Sequence, residues 1–319
     1  RLAIFDQQGV LLQTTALDIG NNVFLQAMLN GAQGHYLVGS RIDAESNLQQ
    51  GFVARLNSDL SLAWLSSLEM EWSNQLLAAA LLTDGGLVVC GSVADDGGKD
   101  ALVARISPTG QWLWDLRSGQ ALDDEARGIA VDATHAMVTG SEVDFSGKPN
   151  ALFMRISLQG QLAWSTSWGG DGSDIGNALV RTSDGHFVMA GSTSSFGPAD
   201  VQGQRRNNLH LIKIDVNGDT LWTRSLGNTT HDTPALCLAL APNGDLLTGG
   251  MELQAGASDA MCTRLTGNGS QLWQRTWDTG KEEKLLSMFA TADGLVATGW
   301  SFGDQGMRLL LLKRNNTGE

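Results

Sequence analysis

Four stretches of this chain repeat one pattern, a basic residue followed by a glycine turn and a tryptophan. They read RISPTGQWLW (Arg105–Trp114), RISLQGQLAW (Arg155–Trp164), KIDVNGDTLW (Lys213–Trp222) and RLTGNGSQLW (Arg264–Trp273). The basic position or its equivalent recurs about every fifty residues, at Ile4, Arg55, Arg105, Arg155, Lys213, Arg264 and Lys313. A fixed period of this size is typical of a supersecondary unit that stacks on copies of itself.

One repeat, residues 75–117, shows what the unit is made of. Its short apolar runs are LLAAALL, LVVCGS, ALVARIS and QWLWDLR, and between them lie the turn sequences TDGG and PTG and one polar loop. Short apolar runs separated by Asp-Gly and Asn-Gly turns predict antiparallel strands that follow one another in a meander. No segment keeps a helical period over eleven or more residues, so we predict an all-β protein.

The repeats predict a single β-propeller domain over residues 1–319. A four-stranded sheet cannot bury both faces alone, so neighbouring sheets must stack radially and the ring must close. We predict six blades of four antiparallel strands, at about 20–68, 74–118, 124–168, 174–226, 232–277, and 283–319 plus 1–17. In this arrangement the segment GVLLQTT supplies the fourth strand of the last blade. Because RLAIFD resembles a third strand, a seventh, truncated blade is the alternative.

Composition limits the classes of partner. The 319 residues are 42% apolar and 17% charged, which is enough apolar material for a folded core. A net charge of −13 argues against binding to nucleic acid, because proteins that bind nucleic acid need a basic surface. It argues against binding to acidic lipid surfaces for the same reason. No apolar run approaches the roughly 20 residues of a membrane helix, so we expect no membrane insertion. The chain opens on RLAIFD without methionine, which suggests a trimmed or mature start.

Most of the repeated residues are expected to serve the scaffold. The recurrent tryptophans can wedge between adjacent sheets, and the polar residues before strand three are typical of turn caps. The tryptophans are Trp64, Trp114, Trp164, Trp222 and Trp273, and the polar residues are Asp100, Asn150, Asn208 and Asp259.

The stretch DGHFVMAGSTSSFG…NLHLIKIDVNGDTLWTRSLG (184–227) resembles the repeats of bacterial and archaeal secreted or surface β-propellers. Those repeats carry a DGG-x4-G-[ST] strand followed by L-x-K-x-D-x-x-G-x-x-x-W. The resemblance covers essentially the whole chain and implies an extracytoplasmic location, periplasmic, cell-surface or secreted. The chain also resembles quinoprotein-type propellers, though more weakly. It lacks the Asp-x-x-Thr-Gly spacing of their repeats, so a quinone cofactor is not expected.

The connections between strands two and three, and between successive repeats, are long and vary in length. Variable loops on a rigid scaffold are where binding sites are usually found, so we expect the site on this loop-rich face. The longest loop, SSFGPADVQGQRRNN (194–208), carries Arg205 and Arg206, which would suit a carboxylate or sulfated ligand on an otherwise acidic protein.

Acidic residues recur where strand one begins. Strand one of each blade is expected to line the central channel, so these carboxylates could surround its mouth and bind a cation such as Ca²⁺. Solvated turn residues are the alternative reading. The metal candidates are Asp124, Asp174, Asp232 and Glu283.

Four apolar residues complete the candidate ligand site. Met251 and Trp300 replace the serine that follows the strand-two glycine, and together they could stack on a sugar or an aromatic ligand. Packing against each other is the alternative. Trp72 and Trp112 lie outside the repeat and would suit a partner surface if they are exposed.

Catalytic motifs are missing from the sequence, which has no G-x-S-x-G, H-E-x-x-H, P-loop or C-x-x-C. We therefore predict a non-enzymatic extracytoplasmic propeller that binds a protein or glycan partner through its loop-rich face. One alternative is a glycan hydrolase or lyase that assembles carboxylates across blades. Another is a structural domain of a larger surface protein.

Overall fold

The computed structural model describes residues 2–6, 8–119, 122–254, 256–278, 282–304 and 306–319. These residues form 25 β-strands and no helix, as the sequence predicts. In this part of the chain no helix suited to crossing a membrane is found.

The strands form a series of antiparallel meanders. A two-stranded sheet holds β1 (Leu2–Phe5) and β2 (Leu11–Thr15). Four-stranded sheets follow. The first has β3 (Val23–Gly31), β4 (Gly34–Ile42), β5 (Gln49–Leu56) and β6 (Leu62–Ser67), and the second has β7 (Asn74–Leu81), β8 (Leu87–Asp95), β9 (Gly98–Ile106) and β10 (Trp112–Ser118). The third has β11 (Glu125–Val131), β12 (His135–Val143), β13 (Pro149–Ser157) and β14 (Leu162–Trp168), and the fourth has β15 (Asp174–Arg181), β16 (Phe187–Thr193), β17 (Asn208–Ile214) and β18 (Thr220–Leu226).

The last two repeats are joined into one seven-stranded sheet. The fifth repeat has β19 (Ala235–Leu240), β20 (Leu246–Gln254), β21 (Ala257–Leu265) and β22 (Gln271–Trp277), and the sixth has β23 (Glu282–Thr291), β24 (Gly294–Gly303) and β25 (Gly306–Asn315). A single parallel pair, Ser258 with Glu282, connects them. The structure thus confirms six repeats whose strands run antiparallel, in the order expected of propeller blades.

The N-terminal hairpin repeats the geometry of a third and fourth strand. Ile4 lies opposite Gln13, with a register shift just after it, as Arg55 lies opposite Trp64 in the first four-stranded sheet. This is the pairing that the alternative with a truncated extra blade requires. The closure of the last blade by residues 9–15 stays a prediction.

The glycine and the tryptophan of the repeated pattern meet across neighbouring repeats. Trp114 donates its indole N–H to the Leu158 carbonyl oxygen at 3.0 Å. Gly160 follows in the same turn at φ +88°, and a Cβ atom there would lie 2.9 Å from the Trp114 ring. Glycine is therefore required both by the left-handed backbone and by the ring beside it. The same contact links Trp64 to Gly110.

The basic residue of the pattern holds the turn between strands one and two. Arg155 binds Asp132 at 2.8 Å, and the other ion pairs of this kind are Arg105–Asp84, Lys213–Asp184 and Arg264–Asp245. Burial alone would raise the pKa of Asp132, but the backbone N–H groups of Thr134 and His135 and the Arg155 guanidinium lower it to about 2. The basic residue, the glycine and the tryptophan of the pattern therefore all stabilise the fold.

The described residues fall into two compact units, residues 1–147 with 152–165, and residues 148–151 with 166–319. In the first unit, Val88 and Val103 pack with Val138 and Met154 of the next repeat. In the second, Leu247 and Cys262 of the fifth repeat pack with Leu285 and Ala297 of the sixth. Within each unit the core therefore lies between successive sheets.

Candidate functional site

The acids at the start of strand one mostly occupy one register position. This position lies two residues before the residue that pairs with the strand-two glycine, and it is buried in five repeats. Its occupants are Asn74, Asp124, Asp174, Thr233 and Glu283. Asp232, predicted as a member of the set, is one residue out of register.

These buried groups bind backbone and neighbouring polar side chains. Asn74 accepts a hydrogen bond from the Gly51 N–H at 2.8 Å, and Asp124 accepts one from the Val143 N–H at 2.9 Å. The Thr233 hydroxyl donates to Asn208 at 3.0 Å. The position therefore stabilises the junction between strands, which is reason enough for a polar residue there.

Asp232 stabilises the junction in a second way. It accepts a hydrogen bond from the Asn207 N–H at 2.9 Å, just before strand three of the preceding repeat begins. Asp123 accepts from the Lys99 N–H at 3.0 Å, and Ser73 accepts from the Gln49 N–H at 3.2 Å, in the same manner. The Asp232 carboxylate thus accepts a backbone hydrogen bond that recurs at the equivalent position of other repeats.

Two junctions bring acids together. A Cβ atom on Gly119 would lie 2.1 Å from an Asp100 oxygen and 3.0 Å from an Asp124 oxygen, so the two carboxyl groups meet there. Burial, helped by Asp95 and Asp124, raises the pKa of Asp100. The equivalent junction in the fourth repeat pairs Asp174 with Asn150, so a neutral amide takes the place of the second carboxyl group there.

The second acidic junction is the described group that best resembles a cation site. Asp259, Asp278 and Glu283 each place one carboxylate oxygen within 4.8 Å of the others. Burial, then the neighbouring Asp278 and Glu252, raises the pKa of Asp259. Ca²⁺ takes six to eight oxygen ligands, and these three residues would provide part of that set. Binding of Ca²⁺ stays a prediction.

Asp174 anchors the long loop of the fourth repeat. Its carboxylate accepts hydrogen bonds from the Ser195 hydroxyl at 2.5 Å, from the Gly170 N–H at 2.9 Å and from the Thr193 hydroxyl. Thr193 in turn accepts from the Phe196 N–H at 3.1 Å. The start of the loop is therefore fixed to strand one of its own sheet.

An aromatic stack fixes the same loop from the other side. Phe196 lies 4.6 Å from the Trp168 ring, and Trp168 is stacked on His210 at 4.6 Å. Burial lowers the pKa of His210 to about 4, although Asp174 opposes this, and its Nδ1 lies 2.8 Å from the Ser225 hydroxyl. Strand three has apolar residues at the equivalent positions, such as Leu102.

The tip of this loop is a small hairpin that presents Val201. Ala199 bridges Arg205, and the Asp200 carboxylate accepts hydrogen bonds from two backbone N–H groups of the turn, at 2.9 and 2.8 Å. Gly203 adopts the left-handed conformation at φ +80°, which closes the turn. Val201 is 96% exposed at the tip. Arg205 and Arg206 are exposed beside it, as the sequence predicts.

A second turn of the same design presents a phenylalanine. In Asp144–Phe145–Ser146–Gly147, the Asp144 carboxylate accepts hydrogen bonds from the Ser146 N–H at 2.8 Å and the Ser146 hydroxyl at 2.6 Å. Phe145 is 90% exposed. Both turns connect strand two to strand three and read Asp-apolar-x-Gly.

The remaining candidates lie on the sheets. Trp72 and Trp112 are half-buried against the core of the first unit, and the Trp112 indole donates to the Ser67 carbonyl oxygen at 2.9 Å. Met251 is paired with Ala260. Trp300 is half-buried, with the Lys284 ammonium 4.7 Å from its ring centre. Ligand binding by these four residues stays a prediction.

Sequence reasoning found the long loop and its arginines but missed its apolar tip. A signal was present, because the Asp and Gly of an Asp-x-x-Gly stretch are typical of a turn, and turns run over the protein surface. It also missed the stack on His210, whose signal is a histidine at a position that is apolar in other repeats.

No protein-family model and no curated protein sequence matches this chain. Among solved structures, it resembles the WD40 domain of Pan2 from Neurospora crassa, with a TM-score of 0.53 and 9% identity over 92% of this chain and 84% of that one. Sqt1 from Chaetomium thermophilum gives a TM-score of 0.50 and 12% identity over 90% of this chain and 69% of that one. An acylaminoacyl peptidase gives 0.51 and 10% over 92% of this chain, which spans 45% of the peptidase. The shared feature is the β-propeller fold.

Proposed function

We propose that this β-propeller binds a protein partner through its loop-rich face, with Val201 as an apolar anchor. The observation that carries the proposal is the exposure of this side chain on a hairpin that is held in place. A loop that is ordered before binding loses little conformational entropy when a partner docks.

The surroundings of Val201 suggest the chemistry of the partner. Arg205 and Arg206 flank the tip on a protein whose net charge is −13. Guanidinium groups beside an apolar anchor favour an apolar residue next to carboxylates. We therefore propose an acidic segment with one exposed apolar side chain as the bound element.

The experiment is affinity capture from an extract of the source cells, followed by measurement of binding to the purified partner. Val201→Ser should weaken binding at least tenfold, which corresponds to about 1.4 kcal/mol for a buried anchor. Arg205→Ala with Arg206→Ala should weaken binding more at low salt than at high salt.

The chain has a matched control. Asp215–Gly218 forms the same type of turn with an exposed valine, Val216, but it joins strand three to strand four at the other end of the sheet. Val216→Ser should leave the affinity unchanged. The proposal fails if Val216→Ser weakens binding as much as Val201→Ser, or if Val201→Ser has no effect.

The glycan partner is the second candidate, supported by the same exposed arginines. A sulfated-glycan array would favour it if binding there depends on Arg205 and Arg206 and not on Val201. The resemblance to secreted and surface propellers supports an extracytoplasmic location, which signal-sequence mapping of the natural precursor would test. Enzymatic action on glycans and a role as a structural domain stay lower-ranked proposals, because no described residue group favours either.

A further inference from the structure

A small polar cleft lies in the first unit, where the first and second four-stranded sheets meet at their loop-rich ends. Its volume is about 90 Å³, several times the roughly 10–15 Å³ that one water molecule requires. Apart from Ala94, every lining residue is polar: Gln49, Ser73, Asn74, Gln75, Ser92 and Lys99. Such a site is suited to a group of a few atoms that forms hydrogen bonds.

The orientation of the Gln75 amide is fixed by its neighbours. Its nitrogen donates to a Glu125 carboxylate oxygen at 2.8 Å and to the Ser92 hydroxyl oxygen at 3.1 Å. An ionised carboxylate can only accept, so the nitrogen must be the atom on this side. The other amide atom, Gln75 Oε1, is then an acceptor on the side of the amide away from Glu125.

The charge of Glu125 is already balanced. Arg127 binds its second oxygen at 2.7 Å, while Gln75 and Ser92 occupy the first. A ligand in the cleft therefore meets no uncompensated carboxylate. Lys99 is the ionised residue that lines the cleft itself, and it is exposed.

The cleft also supplies donors. The Ser73 oxygen accepts the Gln49 N–H at 3.2 Å, which leaves the hydroxyl hydrogen to be donated. Lys99 provides an ammonium group with three N–H donors. Asn74 is satisfied by Gly51, Leu68 and Trp72, so it shapes the wall.

We propose that this cleft is a binding subsite for a primary carboxamide, the group carried by asparagine and glutamine side chains. A carboxamide would donate N–H to Gln75 Oε1 and accept from Ser73 or Lys99. A carboxylate has no N–H for the glutamine oxygen, and a guanidinium has no acceptor for the ammonium. The subsite does not depend on the Val201 surface.

The test is an NMR titration of the ¹⁵N-labelled chain with four probes at equal concentrations: acetamide, acetate, guanidinium and glycerol. Acetamide should produce saturable shifts centred on Ser73, Gln75 and Lys99, and each other probe should bind at least tenfold more weakly. An equal response to glycerol or acetate, or no saturable response to acetamide, would overturn the proposal.

Two variants and a control complete the experiment. Gln75→Leu removes the acceptor but also a donor to Glu125, so Lys99→Met, at an exposed residue, is the variant that preserves packing. Each should weaken acetamide binding about tenfold, the loss expected of one hydrogen bond to a charged or buried partner. Lys284→Met, in the last repeat, should leave binding unchanged. Full retention of acetamide binding by both cleft variants would contradict the assignment.

Discussion

The carboxylate of Asp174, where strand one of the fourth repeat begins, accepts a hydrogen bond from the hydroxyl of Ser195 at 2.5 Å. Through this contact a buried acid of the sheet fixes the loop that carries Val201 and the two arginines. The acid was expected at a metal site and the loop at a binding surface. In the structure, the acid holds the start of that loop in place.

Replacement of Asp174 should therefore free the loop before it unfolds the sheet. Asp174→Ala leaves three donors without their acceptor, those of Gly170, Thr193 and Ser195, and should lower the free energy of unfolding by about 3 kcal/mol. Hydrogen exchange should accelerate first in residues 194–207. Asp219→Ala, an exposed residue of the strand three–four turn in the same repeat, is the control, and equal acceleration there would contradict the anchoring role.

Acid should destabilise the protein through His210. Its pKa is about 4 in the folded chain and near 6.5 when unfolded, so the unfolded state binds the proton first as pH falls. The free energy of unfolding should decrease between pH 6.5 and 4, by up to about 3 kcal/mol from this residue.

His210→Leu introduces the residue found at the equivalent Leu102 and Leu310. Denaturant unfolding at pH 7 and pH 4.5 should show a smaller pH dependence in this variant. An unchanged pH dependence would remove His210 as its source.

Replacing a carboxyl group of an acidic junction with the amide found in other repeats should stabilise the protein. Asn208 is the equivalent of Asp259 in the fourth repeat. The raised pKa of Asp259 means that its ionised form is disfavoured in the fold, so Asp259→Asn should raise the melting temperature at pH 7. The gain should be about 1 kcal/mol or less, because the residue is only half-buried and water screens its charge.

The same variant tests the Ca²⁺ prediction. If Asp259, Asp278 and Glu283 bind the ion, added Ca²⁺ raises the melting temperature of the original chain and not that of Asp259→Asn. Equal melting temperatures with and without Ca²⁺ in the original chain would reject the metal site.

The glycine–tryptophan contact should be sensitive to a single methyl group. Gly160→Ala should destabilise the protein by more than 1 kcal/mol, because its φ is +88° and the new Cβ atom would lie 2.9 Å from the Trp114 ring. Gly147→Ala separates the two causes, since its φ is +78° and no atom lies within 4 Å. Thermal unfolding should show the larger loss for Gly160→Ala, and equal losses would assign the effect to backbone strain alone.

Much of the fold could be predicted because its signals are local and repeated. A turn glycine, a basic residue and a tryptophan recur at one period, and each needs only its own repeat and the next to be satisfied. Strand one carries a register shift in all six repeats, for example between Leu76 and Ala78. The sequence pattern did not predict this shift. A bulge depends on how two strands pair, so it cannot be read from one of them.

The candidate site was harder to predict because its residues are distant in sequence. Asp124, Asp174 and Glu283 were recognisable as recurrent acids, but their roles depend on which backbone and side-chain groups meet them. Gln75 lies fifty positions from Glu125, yet the bond between them orients its amide.

The sequence by itself determined the all-β repeat, its six units, the strand order within them and the loop that carries Arg205 and Arg206. Each of these follows from short-range periodicity and turn chemistry. Only the tertiary structure decided that most of the recurrent acids accept hydrogen bonds at junctions, that Val201 lies exposed at the tip of a hydrogen-bonded hairpin, and that the Gln75 amide nitrogen binds Glu125 beside a cleft. Those outcomes depend on burial and on partners from other strands, because the same carboxylate or amide has a different role with each set of neighbours.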